Sequence, residues 1–237
     1  MRARPHAVAA LAVVLALLAG AASAAPEASS HNMLTAKEKA AGWKLLIDGR
    51  TTAGWRNWKK QGVDPAWRVE DGALVCADPA ATSDLITVGQ YADFELAFAW
   101  RIAAKGNSGV YFHVLEQGEH GYESGPEYQL LDNARGVPPQ EQAGSLFGLY
   151  APSADVTRPV GAFNESRLVV RHGRVEHWLN GEKVVAYELN SPDFKARTAG
   201  TKFARWPLFA TAATGHIALQ DHGAVVAFRD IKLRPLR

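Results

Sequence analysis

Glu127 and Gln129 stand in Gly125-Pro126-Glu127-Tyr128-Gln129-Leu130-Leu131-Asp132, a run whose apolar residues alternate as in a β-strand. Alternate strand side chains point to opposite faces, so the acid and the amide project together while Tyr128 and Leu130 face the other way. A carboxyl beside an amide can move a proton and hold a hydroxyl, which is acid–base chemistry on a polar small molecule. The same phasing of Asn107-Ser108-Gly109-Val110-Tyr111-Phe112-His113-Val114 puts Val110, Phe112 and Val114 in a core and leaves Asn107, Tyr111 and His113 opposite. In His216-Ile217-Ala218-Leu219-Gln220-Asp221-His222, Ile217 and Leu219 are core, which leaves His216, Gln220 and His222 opposite. If these strands adjoin, their polar face suits a sugar, whose hydroxyls want amide, acid and imidazole partners and whose ring stacks on aromatics. An ordinary solvated strand face is the alternative for any one of them.

Other chemistries fit less well. A retaining glycosidase needs two carboxylates about 5 Å apart, and the neighbour of Glu127 on its own face is an amide. His113, His216 and His222 lack a compact ligand spacing such as His-Glu-x-x-His. Ser108 lacks the Gly-x-Ser-x-Gly elbow of a serine hydrolase. Trp55, Trp58 and Trp206 lie in loop-like settings and are candidates for stacking on a ligand. A structural Ca²⁺ held by loop carboxylates is compatible with these readings.

The elements that must position these residues are short strands. From Trp43 onward, alternating runs are divided by Gly, Asp and Asn turns, the pattern of an all-β, antiparallel sandwich. Asp71-Gly72 and Asn180-Gly181 are hairpin signals, and Phe94 to Ile102 is the clearest core strand. Thr35-Ala36-Lys37-Glu38 has capping-box spacing and predicts one short N-terminal helix, beyond which helices are scarce. Residues 133–142 and 191–209 contain Pro and mixed charge, and are read as loops rimming a cleft.

Arg2, Arg4 and His6 precede an apolar run from Ala7 to Leu18, followed by Ala22-Ser23-Ala24, the layout of a cleaved export signal. The expected organisation is a signal peptide over 1–24, a leader and short helix over 25–40, and one domain over 41–237. Periplasmic or secreted location follows, with no membrane anchor. Cleavage removes two arginines and no acid, so the formal charge falls from +2 to 0. Such a chain has no electrostatic claim on nucleic acid. The single Cys76 cannot form an internal disulfide.

Taken together, Trp43 to Gly49, Asn107-Ser108-Gly109, the Gly125–Asp132 segment, Leu179-Asn180-Gly181 and Leu219-Gln220-Asp221-His222-Gly223 with Phe228-Arg229 resemble the 3-keto-disaccharide hydrolase family, in the same order, over about residues 41 to 235. The resemblance implies a concanavalin A-like β-sandwich, or jelly roll. It also implies a glycoside substrate already oxidised to a ketone at carbon 3 by a separate sugar 3-dehydrogenase, the expected functional partner. One base could then remove the acidified hydrogen at carbon 2, the group at carbon 1 would leave, and water would add back. On this reading Glu127 or His222 is the base, and Asn107, Gln129, Gln220 or a bound divalent cation holds the enolate oxygen. Tyr111, His113, Asp132 and Trp206 are further substrate contacts. The chain departs from the family pattern at Gly161-Ala162-Phe163-Asn164, where Gly-Glu-Trp-Asn is usual, at His113, often Arg, and at Asp230, commonly Asn. A non-catalytic carbohydrate-binding module on the same sandwich is the competing reading.

Overall fold

The computed structural model describes residues 31–79 and 81–236. The expected signal peptide and most of the expected leader lie outside them. Helix α1 is Ala36–Ala40, with Thr35 Oγ1 accepting from the Glu38 amide at 3.2 Å and Glu38 Oε2 accepting from the Thr35 amide at 2.8 Å. The strands are β1 (Lys44–Leu45), β2 (Trp55–Asn57), β3 (Trp67–Glu70), β4 (Ala73–Cys76), β5 (Leu85–Thr87), β6 (Phe94–Ile102), β7 (Asn107–Val114), β8 (Glu127–Leu131), β9 (Asn164–Arg171), β10 (Arg174–Leu179), β11 (Glu182–Glu188), β12 (His216–Leu219) and β13 (Val226–Pro235).

They form two antiparallel sheets packed as a concanavalin A-like sandwich. The larger runs β11-β10-β9-β6-β13-β4-β3, with β1 also on β13; the smaller runs β2-β5-β12-β7-β8. Asp71-Gly72 and Asn180-Gly181 turn β3 into β4 and β10 into β11, each residue at positive φ, as two-residue hairpin turns require. Between the sheets, alternate residues interdigitate: Phe98 of β6 meets Tyr128 of β8 edge-on with ring centroids 5.6 Å apart, and Phe94 meets Phe112 of β7 at 6.3 Å. The three adjoining strands β12, β7 and β8 therefore turn their other face outward, away from the large sheet.

Four expectations are corrected. Residues 191–209 are not all loop, because Pro192–Ala199 forms helix α2, with the Ser191 hydroxyl accepting from the Phe194 amide at 3.1 Å and Phe194 buried. Ser at the cap and Pro at the first helical position are a helix-start signal that the charge pattern obscures. Trp55 is a core residue whose Nε1 donates to the Leu46 carbonyl at 2.6 Å, and Trp58 is buried with Nε1 on the Glu119 carbonyl at 2.9 Å, so neither is free to stack on a ligand.

His113 is the fourth. The register of β12 against β7 slips between His216 and Ala218, and His113 takes φ 53°. This bulge reverses the phase of the strand. His113 turns onto Phe94 and Phe112, with Nε2 against the Ala92 carbonyl at 2.8 Å, while Val114, expected in the core, packs with Tyr111 on the outer face.

Candidate active site

A cavity of about 260 Å³ opens on the outer face of the smaller sheet. Asn107 and Tyr111 from β7, Glu127 and Gln129 from β8, and Gln220 and His222 just after β12 line one side of it. Tyr122, Phe147 and Phe203 line the rest, together with Lys202. One wall hydrogen-bonds and the other is aromatic, which matches the two characters of a pyranose ring.

Strand pairing sets this wall. Tyr111 lies opposite Glu127, and Gly109 lies opposite Gln129. A Cβ at Gly109 would stand 2.8 Å from both Cγ and Cδ of Glu127, so the missing side chain is the space the acid occupies. The exit of β12 is tied down at three points: the Gln220 amide donates to the Gly109 carbonyl at 2.9 Å, the Ser108 hydroxyl donates to the Gln220 carbonyl at 2.8 Å, and the Asp221 amide donates to Asp84 Oδ1 at 3.0 Å. Asp84 is thus a positioning residue for the Gln220–His222 segment. Residues 144–147 cover the free edge of β8, with the Gln129 amide on the Ser145 carbonyl at 3.1 Å and the Phe147 amide on the Glu127 carbonyl at 3.1 Å.

The inward polar groups are unevenly satisfied. Gln129 is held on both ends, accepting from the Leu130 amide at 3.1 Å and donating to the Glu141 carbonyl at 3.2 Å. Gln220 Nε2 donates to the Tyr111 hydroxyl. Asn107 Oδ1 and Gln220 Oε1 are buried with no partner. An orphaned buried acceptor costs about 1–3 kcal/mol, so a ligand that brings hydroxyl hydrogens to these two atoms recovers that energy on binding.

Glu127 is the buried acid of the cavity. Burial pushes its pKa from 4.5 up to about 8, with nearby Lys202 opposing and the Asp84 carboxylate adding to the rise. Burial likewise lifts Asp84 to about 7, and raises the Tyr111 phenol well above its ordinary range. Asp84 touches the site only from the side, its Oδ2 and the Tyr111 ring both lying near Gly121, and it does not line the cavity. Among the described residues the cavity thus has one carboxyl, an amide beside it on the same strand, and an exposed imidazole, His222, at its mouth.

The raised acid makes stability depend on pH. The folded chain holds a proton on Glu127 that the unfolded chain releases above pH 4.5. Its stabilising contribution is full below that pH and is lost as pH rises through about 8. We expect on the order of 3–5 kcal/mol of pH-dependent stability from Glu127, seen as a fall in denaturation midpoint over that window that Glu127→Gln makes shallower, the part that remains below about pH 7 belonging to Asp84. An unchanged slope in the variant would refute the assignment.

Three expected contacts lie elsewhere. His113 is inside the sandwich because of the bulge. Asp132 caps the turn after β8, accepting from the Ala134 amide at 3.1 Å and the Lys105 amide at 2.7 Å. Trp206 backs the aromatic wall without lining it, its ring 5.2 Å from Tyr122 and 5.8 Å from Phe203. His216, with Nδ1 against the Thr87 carbonyl at 2.7 Å, does not join His222. Among the described residues one group of metal-capable side chains gathers, Glu119, His120 and Glu123, with ligand atoms within 4.8 Å of one another, on the surface beside Tyr122 and outside the cavity. A larger cleft, about 510 Å³, lies by Trp100, Asp132 and Arg158. Several of its groups bond to one another, the Arg158 amide donating to Asn164 Oδ1 at 2.7 Å and the Thr157 hydroxyl to Asp155 Oδ1 at 2.7 Å.

Tyr122, Phe147, Lys202, Phe203 and Asp84 were not singled out from the sequence. Lys202 and Phe203 fall in the long segment read as a cleft rim, the one signal that pointed to them.

Residues 42–234, nearly the whole described chain, match the model of the 3-keto-alpha-glucoside-1,2-lyase-like domain. The chain belongs to this family. A 3-keto-disaccharide hydrolase of Bacteroides thetaiotaomicron is 29% identical over 243 residues, covering 89% of this chain and 84% of that protein. A crystal structure from Parabacteroides distasonis, provisionally assigned as a glycosyl hydrolase, is 34% identical with a TM-score of 0.81, covering 87% of this chain and all of the other. A second Parabacteroides distasonis structure with the same assignment is 25% identical with a TM-score of 0.62, covering 77% of this chain and 99% of the other. Like its relatives, this lyase-like domain is a glycoside-processing enzyme of the hydrolase class.

Proposed function

We propose that this enzyme cleaves glycosides whose sugar carries a ketone at carbon 3, with Glu127 as base and His222 as acid. The observation that carries this reading is the cavity with a single carboxyl: Gln129 occupies the place of a glycosidase partner, and the bond must be weakened another way. A ketone does so by acidifying the adjacent carbon-bound hydrogen. Glu127, lifted by burial, is a stronger base than an ordinary carboxylate once ionised. It takes the proton from carbon 2, and the pair left behind is held as an enolate. The enolate collapses to a carbon 1–carbon 2 double bond, expelling the oxygen at carbon 1, which His222 protonates. Water then adds at carbon 1, completing a net hydrolysis. His222 suits the acid role because it is exposed at the mouth, where the leaving group must exit. The name of the Bacteroides relative supports the substrate class. A sugar 3-dehydrogenase would supply the ketone, and export through the amino-terminal signal would place the enzyme outside the cytoplasm. N-terminal sequencing should then find the mature chain starting near Ala25.

The test is to offer 3-keto-trehalose and trehalose side by side and measure release of 3-keto-glucose. Cleavage of the ketone substrate alone is expected; equal rates on both, or binding of a sugar with no turnover of either, would refute the proposal. His222→Asn should lower kcat about 100-fold when the leaving group is an alcohol, and far less when it is nitrophenolate, which leaves without a proton. Equal losses on both leaving groups would remove His222 from the acid role.

A further inference from the structure

The mechanism leaves one charged side chain of the cavity unused. Lys202 begins the 3-10 turn Lys202–Arg205, its position set by Thr201, whose hydroxyl accepts from the Phe203 amide at 3.3 Å. Its ammonium stands 4.6 Å from the centroid of the Phe147 ring and 5.5 Å from that of Phe203, and both rings line the cavity. Among the described residues no carboxylate lies within the 4.0 Å of an ion pair with it, and no other Lys or Arg lines the cavity. Aromatic faces hold a cation without neutralising it, so the charge remains available to a ligand. It already reaches Glu127, whose pKa it pulls down against burial.

Two of the remaining inward groups favour the opposite kind of partner. Asn107 Oδ1 and Gln220 Oε1 are unpartnered acceptors, suited to hydroxyl hydrogens, while Gln129 and Gln220 already donate to the Glu141 carbonyl and the Tyr111 hydroxyl. A carbonyl oxygen that becomes an enolate needs a donor, and a positive one serves best in a cavity partly closed to water.

We propose that Lys202 is a catalytic residue whose ammonium binds the carbonyl oxygen at carbon 3 of the substrate and carries the negative charge that collects there. This rests on the ketone reading of the substrate. As Glu127 takes the proton from carbon 2, the carbon–hydrogen pair becomes the carbon 2–carbon 3 double bond, and the carbonyl pair moves onto the oxygen against Lys202. When the enolate collapses, the carbonyl re-forms, the carbon 1–oxygen bond breaks, and the leaving oxygen takes its pair and a proton from His222. No oxidant or reductant is consumed.

The experiment compares wild type, Lys202→Met, Lys202→Arg and His222→Asn on 3-keto-trehalose. It measures kcat, KM and, by NMR in deuterated buffer, exchange of the carbon 2 hydrogen of 3-keto-glucose. Lys202→Met should lower kcat about 100-fold or more with KM changed less than about 5-fold, and should slow carbon 2 exchange in parallel. Lys202→Arg should recover a large part of both. His222→Asn, acting only on the leaving group, should keep exchange near the wild-type rate. Melting curves should coincide, because the Lys202 side chain is exposed. Retention of kcat and exchange by Lys202→Met, or a loss confined to KM, would overturn the role of Lys202 while leaving the substrate reading intact. Wild type that cleaves trehalose as fast as its 3-keto form would overturn both.

Discussion

Glu127→Gln is expected to lower kcat/KM on a 3-keto-glucoside by about 10³-fold, within the range of removing a positioned base. The amide has nearly the shape of the acid, so the cavity and the strand pairing opposite Tyr111 should survive. What disappears is, among the described residues, the only group lining the cavity that is placed to take a carbon-bound proton and is buried enough to do so strongly. The pH profile gives a second signature. A base must be ionised, so wild-type kcat/KM should rise with pH through an apparent pKa near 8, and the variant should lack that limb. If Glu127 instead acts as the acid, the same pKa marks a falling limb, and the base assignment fails. Rates within a few-fold of wild type would remove Glu127 from the chemistry altogether.

Gly109→Ala is expected to be nearly as damaging, through geometry alone. The added methyl would sit within 2.8 Å of the Glu127 Cγ and Cδ, a separation that carbon atoms do not tolerate, so the acid must swing out of its niche. An open cavity receives it, which should keep the stability loss to about 1–2 kcal/mol. Activity has no such relief, since a base displaced by about an ångström loses about 100-fold. Swung toward water, the carboxyl also regains its ordinary acidity, and the rising limb of the pH profile should move toward acid. The decisive measurement is a double-mutant cycle: Gly109→Ala should cost little more in a Glu127→Gln background, because both changes act on one group. Additive losses would mean that Gly109 serves the site in some other way.

Much of this site was legible because strand alternation is a local property. The two-residue period puts Glu127 with Gln129, and Asn107 with Tyr111, whatever the neighbouring strands do. Gln220 and His222 followed from the same rule applied beyond Leu219, and the hairpin turns at Asp71-Gly72 and Asn180-Gly181 required no knowledge of what they connect. The rule fails where the ladder slips. The bulge beside His216 carried His113 into the sandwich and Val114 outward, and a register slip depends on the partner strand, which the local pattern does not contain.

By itself, then, the sequence determined the sandwich, its turns, and the side chains that share a face on each strand, since period and turn chemistry act within a few residues. Only the tertiary structure decided that β12, β7 and β8 adjoin and that Lys202 and Phe147 arrive from distant segments to close the cavity. It alone also decided that burial lifts Glu127 to about pKa 8 with one carboxylate and one ammonium near it. Desolvation and Coulomb interaction act through space, so the protonation of that acid is a property of the packed fold and of no segment of the chain.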